Sequence, residues 1–588
     1  MLPTQQDMQK LETLYNSRKY HDLELETKKL IKEYSNIATL YNILGIALQK
    51  KGDFQEAIKK FKKAITLDPK LIFAYNNLGN VYKDLDKYDD SIKYYEKAIK
   101  IKPDYAEAHY NQGCLYRDNK KYLEAIKKYE LAIKINSDYP EAYNNLGYVL
   151  RNIGKLDEAI INYKKAIKLK PNFFEAYSNI FFTLFYFQKN DPQYYLSYAN
   201  KFRSNIKILN KNLLVEYKFD KKPNKLKIGF ISGDFKNSPV GFFLLGTLEK
   251  LKNKDLELFG YSNSLEKDQW TFKLKSHFDN WKEITNKNDI ELINQIRNDR
   301  IHILIDLSGH SAKNRLPIFI NKPAPIQVTW AGYAASTGIP EIDYLIGDSF
   351  VTPKEEKNHF SEKIFLLPNI WVCFTPPDFD IKINNLPAIQ NKYITFGCFN
   401  NLSKINDTVI STWCKILKNT PNSKIFLRTK ELSDLYLKKL IIEKFKANNI
   451  NESSIILEGG CSRHELLKSY NKIDIALDPF PYSGGVTSFE SIWMGVPVLT
   501  IKGSRFVSHT SESINNNSGM SDWVAKNSDD YLLKAIKFTS DLKKLSNIRE
   551  NLRDKVLNSP SFNSLLFAKQ LNEALWKMWN NYLLAKKR

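Results

Sequence analysis

The chain has 588 residues, 43% of them hydrophobic and 26% charged, with a formal net charge of +23. That length exceeds one hydrophobic core and predicts several packed units, and the composition excludes a disordered or fibrous protein. The charge would admit nucleic acid or an anionic membrane as partner, but the lysines are spread over outward helix positions, as in IKKFKK and IKKYE, the pattern of a solvated basic surface rather than a nucleic-acid face.

The first ten residues, MLPTQQDMQK, lack the basic-then-apolar layout of a signal peptide. No apolar run reaches the roughly 18–20 residues of a membrane-spanning helix. A cytoplasmic chain with no membrane partner is expected. Beyond this segment Gly45, Gly79, Gly113 and Gly147 recur every 34 residues, as do Pro69, Pro103, Ser137 and Pro171. Around them run texts such as YNILGIALQKKGDFQEAIKKFKKAITLDP and AYNNLGNVYKDLDKYDDSIKYYEKAIKIKP. On the second helix of each unit Ala57, Phe61 and Ala64 fall at i, i+4 and i+7, with Ala125, Tyr129 and Ala132 in the same places later. These helix pairs resemble tetratricopeptide repeats. One pair cannot bury its own apolar face, so the pairs must stack into an α-solenoid over residues 8–207, with 8–37 and 174–207 as degenerate end repeats. The groove of such a solenoid is expected to take proteins or peptides, and Asn42, Asn76, Asn111 and Asn144 are candidates for an amide ladder that grips a backbone.

After the linker FDKKPNK the period changes to short β runs alternating with helical stretches, the sign of parallel sheets. KIGFIS, IHILIDL and PIQVTW make a first lobe over 225–370. YITFGCF, KIFLRT, SIILEG, IDIALD and PVLTI make a second over 391–588, terminal helices included, with PPDFDIKINNLP as linker. The expected fold is therefore a solenoid followed by two Rossmann-like α/β lobes, whose ligand cleft lies outside the carboxyl ends of the strands. Within the linker, Asp378-Phe379-Asp380 imitates a metal-binding triplet but has no strand context, and it is read as coincidence.

The chemistry concentrates in IDIALDPFPYSGGVTSFESIWMGVPVLT, residues 473–500, read as strand, tight turn, helix and next strand. Gly484 and Gly485 allow close backbone approach, and a helix opening at Val486 points free amides and its positive dipole end at the turn, making an anion site. Thr487 and Ser488 add hydroxyl donors, and Glu490 is placed to accept from a ribose. The five cysteines are scattered without CxxC spacing, and the eight histidines include no HxxxH pair, so neither a disulfide framework nor a catalytic transition metal is expected. A resident cofactor is likewise not expected.

This stretch resembles the nucleotide-binding segment of the O-linked N-acetylglucosamine transferase and SPINDLY family. ILIDLSGHSAKNRL, KPAPIQVTWAGYAASTGIPEIDY and ITFGCFNNLSKIN follow in that family's order, and SHTSESINNNSGMSDWVAKNSDDY through SPSFNSLLFAKQL to LWKMW is similar to its bacterial members. The resemblance covers nearly the whole chain. It implies a GT-B type enzyme that moves a sugar from a nucleotide onto protein Ser or Thr hydroxyls, with inversion and without a metal. UDP-N-acetylglucosamine is the first candidate donor and GDP-fucose the second, and a catalytically impaired scaffold is the rival. Lys404 matches the family's diphosphate-binding lysine, with Asn401 in the same segment, and His310 in the SGH motif is placed near sugar or acceptor. Arg463 and His464 fall beside the nucleotide, and Asp234, Asn237, Ser238 and Pro239 line the acceptor side. The chain departs from the family at Ser238 and Leu466, where histidines are usual, and at Val486, where threonine is.

Overall fold

The glycine period has a direct steric cause. In the computed structural model, which describes residues 2–188, 191–206, 223–252 and 255–586, a Cβ added at Gly45 would lie 2.6 Å from the ring of Phe61, and at Gly79, Gly113 and Gly147 2.6–2.7 Å from Tyr95, Tyr129 and Tyr163. Each glycine thus lets the aromatic side chain of the paired helix lie against bare backbone. The helices Ala38–Lys51 and Phe54–Leu67, Ile72–Asp84 and Tyr88–Ile101, Ala106–Asp118 and Tyr122–Ile135, and Pro140–Asn152 and Leu156–Leu169 form the four regular pairs. Gln5–Asn16 and Tyr20–Glu33 precede them.

Successive pairs are stitched by amides offset by 35 residues. Asn77 donates to Asn42 at 3.0 Å, Asn111 to Asn76 at 2.9 Å, and Asn145 to the Tyr110 hydroxyl at 2.9 Å. Asn42, Asn76, Asn111 and Asn144 are all buried. Asn111 therefore stands one place beyond the register of Asn76, and the amides run between neighbouring repeats, satisfying buried polar groups.

Contacts divide the chain into two compact units, Met1–Pro171 and Asn172–Arg588. The helices Phe174–Leu184 and Pro192–Ser204, expected to close the solenoid, belong to the second unit. Their apolar faces pack there: Phe181 lies 4.3 Å from His310, Tyr195 donates to the Ser336 carbonyl at 2.6 Å, and Arg203 pairs with Glu341. Residue 207 and residues 219–222 of the expected linker lie outside the described residues.

The second unit holds two all-parallel sheets. The first orders its strands β3-β2-β1-β4-β5-β6-β7, with β1 Leu226–Ser232, β2 Leu256–Ser262, β3 Asn280–Glu283, β4 Ile303–Asp306, β5 Ile326–Thr329, β6 Tyr344–Gly347 and β7 Lys363–Leu366. The second orders them β10-β9-β8-β11-β12-β13, with β8 Thr395–Cys398, β9 Lys424–Arg428, β10 Ile455–Glu458, β11 Ile475–Leu477, β12 Val498–Ile501 and β13 Val524–Ala525. Both are doubly wound, and the order reverses between β1 and β4 and between β8 and β11, the places where such sheets bind ligands. The last helix, Ser564–Ala585, leaves the second lobe and packs on the first: Phe567 stacks on Trp330 at 5.9 Å and Trp579 meets His302 at 4.7 Å. All five cysteines are free, and among the described residues no helix is long and apolar enough to cross a membrane.

Candidate functional site

The loops leaving β8 and β11 meet at the switch point of the second sheet. Lys404 ends a short 3-10 turn, Leu402–Lys404, after β8. Its Nζ donates to Asn400 Oδ1 at 3.0 Å and to the Ser483 carbonyl at 2.8 Å, and lies 3.8 Å from the centroid of the Tyr482 ring. Burial lowers its pKa to about 8, against the pull of the nearby Asp478 carboxylate. Asp478, at the carboxyl end of β11, accepts from the Gly484 amide at 2.7 Å and from Thr500 at 2.7 Å, which shapes the glycine turn. Burial raises this carboxyl to about 6.

The turn opens onto the helix Val486–Trp493, capped by Gly485. A Cβ at Gly484 would strike Ser488 Oγ at 2.1 Å and Asp478 Oδ1 at 2.8 Å, whereas at Gly485 it would meet nothing within 4 Å. The first glycine is thus demanded by packing and the second borders open space. Thr487 donates to Asn400 Oδ1 at 3.1 Å, tying the helix tip to the Lys404 loop. The amides of Val486 and Thr487 begin the helix without intrahelical acceptors, so an ammonium and a positive helix end converge, an arrangement suited to a diphosphate.

One turn into the helix, Glu490 is buried and bonded to Arg463 Nε at 3.0 Å. The Arg463 guanidinium lies 3.6 Å from the Phe242 ring of the first lobe, on the helix Pro239–Leu251, and its buried Nη2 has no hydrogen-bond partner among the described residues. Phe489 stacks on Phe374 at 5.0 Å. Arg463 and Glu490 therefore sit where the two lobes approach, beside the helix tip.

Other expected residues stand elsewhere. Asn401 is exposed, and its neighbour Asn400 makes the contacts. Ser488 bonds Ser511 at 2.8 Å, so its hydroxyl faces the helix Phe506–Asn517 rather than the open notch. His464 packs against Phe379 at 5.4 Å. His310 is only 2% exposed. Its Nε2 donates to the Thr337 carbonyl at 2.8 Å, and its Nδ1 accepts from Ser178 at 3.1 Å. Burial among Phe181, Phe202 and Tyr333 drives its pKa down to about 3. In this structure both nitrogens of a neutral His310 ring are engaged by protein, so the side chain serves here as a structural hydrogen-bonder.

The loop expected to line the acceptor side lies at the switch point of the first sheet, where the Gly233 amide meets Ser308 at 3.4 Å. Ser238 caps the helix Pro239–Leu251: its hydroxyl accepts from the Gly241 amide at 3.2 Å and donates to the Asp234 carbonyl at 2.8 Å. Pro239 follows at the first helical position, and Asn237 is exposed, its amide held by Asp268 at 2.8 Å. Burial raises the Asp234 carboxyl above the ordinary range. Sequence reasoning missed Asn400, Asp478 and Tyr482. Only Asp478 carried a signal, as the acid that ends an apolar strand just before a glycine turn.

Residues 197–375 and 381–571 match the family model described as glycosyl transferase family 41. Tetratricopeptide-repeat models match stretches between residues 45 and 173. The chain is 33% identical over 362 residues to the Arabidopsis thaliana protein named "Probable UDP-N-acetylglucosamine--peptide N-acetylglucosaminyltransferase SPINDLY", covering 61% of this chain and 40% of that one. It is 28% identical to the Arabidopsis thaliana protein whose name differs only in ending in SEC, over 60% of this chain and 37% of the other. The chain thus spans about two fifths of the length of these curated relatives. A solved structure of a mutant of the Thermobaculum terrenum O-GlcNAc transferase superposes with a TM-score of 0.81 at 29% identity, over 88% of this chain and 98% of that one.

Proposed function

Because this chain belongs to glycosyl transferase family 41, we propose that it is a nucleotide-sugar-dependent protein glycosyltransferase, moving N-acetylglucosamine from UDP onto Ser or Thr hydroxyls with inversion and without a metal. The acceptor oxygen attacks the anomeric carbon, the bond from that carbon to the diphosphate breaks, and the negative charge that grows on the leaving diphosphate is met by Lys404 and the amides of Val486 and Thr487. Donors already in place where charge develops lower the barrier more than they tighten substrate binding. Glu490 and Arg463 hold the ribose side, and the Asp234 loop receives the acceptor, with the Asp234 carboxylate as the candidate to take its hydroxyl proton. The repeat solenoid selects the acceptor protein. The observation that carries this reading is the Lys404 ammonium 2.8 Å from the Ser483 carbonyl, at the lip of the glycine turn.

One observation favours a second reading. Ser238 stands where the family usually has a histidine, and its hydroxyl is fully engaged as a helix cap, which suits a scaffold that binds nucleotide without turning it over. Incubating the purified chain with UDP-N-acetylglucosamine and GDP-fucose in turn, with a cell lysate and excess EDTA, distinguishes these readings by mass spectrometry. Transfer from UDP-N-acetylglucosamine is the expected result. Transfer only from GDP-fucose would correct the donor, and nucleotide binding with no transfer from either donor, EDTA or not, would favour the scaffold.

A further inference from the structure

Lys404 is held in an unusual way for a half-buried cation. Its two hydrogen-bond partners, Asn400 Oδ1 and the Ser483 carbonyl, are both neutral. Asp478, the carboxylate that acts on it, directs its own oxygens to Gly484 and Thr500. What covers the ammonium instead is the Tyr482 ring, 3.8 Å away. A carboxylate in that place would neutralise the charge that a diphosphate must meet, whereas an aromatic face attracts the cation and leaves its charge intact. Among the described residues two of the three ammonium N–H bonds have acceptors, which leaves the third to a ligand.

The Tyr482 ring is itself fixed from outside the lobe that carries it. Phe185 meets it edge-on at 5.5 Å, and Tyr186 lies tilted against it at 5.3 Å. Both residues follow the helix Phe174–Leu184, and Phe185 packs in turn on Tyr333 of the first lobe at 4.9 Å. The second lobe grips the same segment: Arg505 donates to the carbonyls of Leu184 at 3.1 Å, Phe185 at 3.3 Å and Phe187. Gln188 reaches Asn406 at 3.4 Å, two residues beyond Lys404.

We infer that Tyr482 is a positioning residue for Lys404, its ring fixing the ammonium at the mouth of the glycine turn, and that Phe185 and Tyr186 hold that ring in place. The inference rests on Lys404 as the diphosphate partner. It gives the residues after Leu184 a role in donor binding, although they precede both lobes in the chain.

Calorimetric titration of the full chain with UDP and with GDP, from pH 6 to pH 10, tests it. Tyr482→Leu is expected to weaken nucleotide binding about tenfold, and Tyr482→Phe, which keeps the ring, to restore most of that loss. The alkaline fall-off of binding should move to lower pH in Tyr482→Leu, because the protonated lysine loses a stabilising neighbour, and return in Tyr482→Phe. Phe185→Ala with Tyr186→Ala should give a loss of the same kind but smaller. In a Lys404→Met background Tyr482→Leu should cost nothing more, whereas a ring that merely props up the loop would cost as much there as in the unaltered chain. Unchanged binding by Tyr482→Leu, equal losses with leucine and phenylalanine, or an undiminished loss in the Lys404→Met background would each overturn the inference. Failure of the unaltered chain to bind either nucleotide is a different result, which removes the diphosphate reading and this inference with it.

Discussion

Asn400 carries two contacts on one oxygen, accepting from Lys404 at 3.0 Å and from Thr487 at 3.1 Å. It therefore joins the cation to the helix tip. Asn400→Ala leaves both donors short of an acceptor in a half-buried place, where a lost hydrogen bond to a charged group costs about 1.5–3 kcal/mol. UDP affinity should fall about tenfold or more by calorimetry. Asn401→Ala should stay within about twofold, as exposed side chains away from such features do. Equal effects at the two positions would show that the ammonium is not held as described. Two adjacent asparagines look alike in a sequence, and the 3-10 turn that points one inward has no periodicity to announce it. The lysine was legible through its motif, and the glycine pair through its place between strand and helix. The directions of His310 and Ser488 have one cause: both follow or open an element at the ligand end of a sheet, but a side chain's direction there is set by what packs against it. For His310 that is a pair of helices from far upstream.

Among the elements, the repeat helices were the most legible, because each glycine and its aromatic partner recur at a fixed spacing and the same contact recurs in space. That contact makes a sharp test. Alanine at Gly113 would gain about 0.5–1 kcal/mol of helix propensity, but its Cβ would lie 2.7 Å from the ring of Tyr129, which is fully buried. Overpacking of this kind costs about 1–3 kcal/mol, so the clash should win and Gly113→Ala should lower the thermal midpoint of the solenoid followed by circular dichroism. A raised midpoint would mean the helices can part cheaply. Strands were read less completely. β3 is the polar edge segment NWKE and β13 is two residues long, too little for an alternating pattern, and both exist because a neighbouring strand offers them an edge.

At the scale of the whole second unit, associations between distant segments decide the architecture, and local periodicity does not encode them. Nothing in SPSFNSLLFAKQL says that its helix leaves one lobe to stack Phe567 on Trp330 of the other. The tie between the lobes at His509 was equally invisible. This residue, 1% exposed, gives Nδ1–H to Glu512 on its own helix at 2.6 Å and Nε2–H to Glu356 of the first lobe at 3.0 Å. Lys502 stands 3.6 Å from Glu512, and His359 stands 3.6 Å from Glu356. Burial alone would lower the His509 pKa, but the two carboxylates together outweigh it and push it up to about 9. A rise from 6.5 to about 9 corresponds to roughly 3 kcal/mol of stability. Because the folded value lies above the unfolded one, that contribution is complete below about pH 6.5 and is lost as pH climbs through about 9. Unfolding midpoints of the unaltered chain and of His509→Gln, compared from pH 6 to pH 10, should therefore differ most at the acid end and converge toward pH 10. A gap that stays constant, or widens with pH, would mean that the imidazole is not held as a cation between the two glutamates and that other contacts join the lobes.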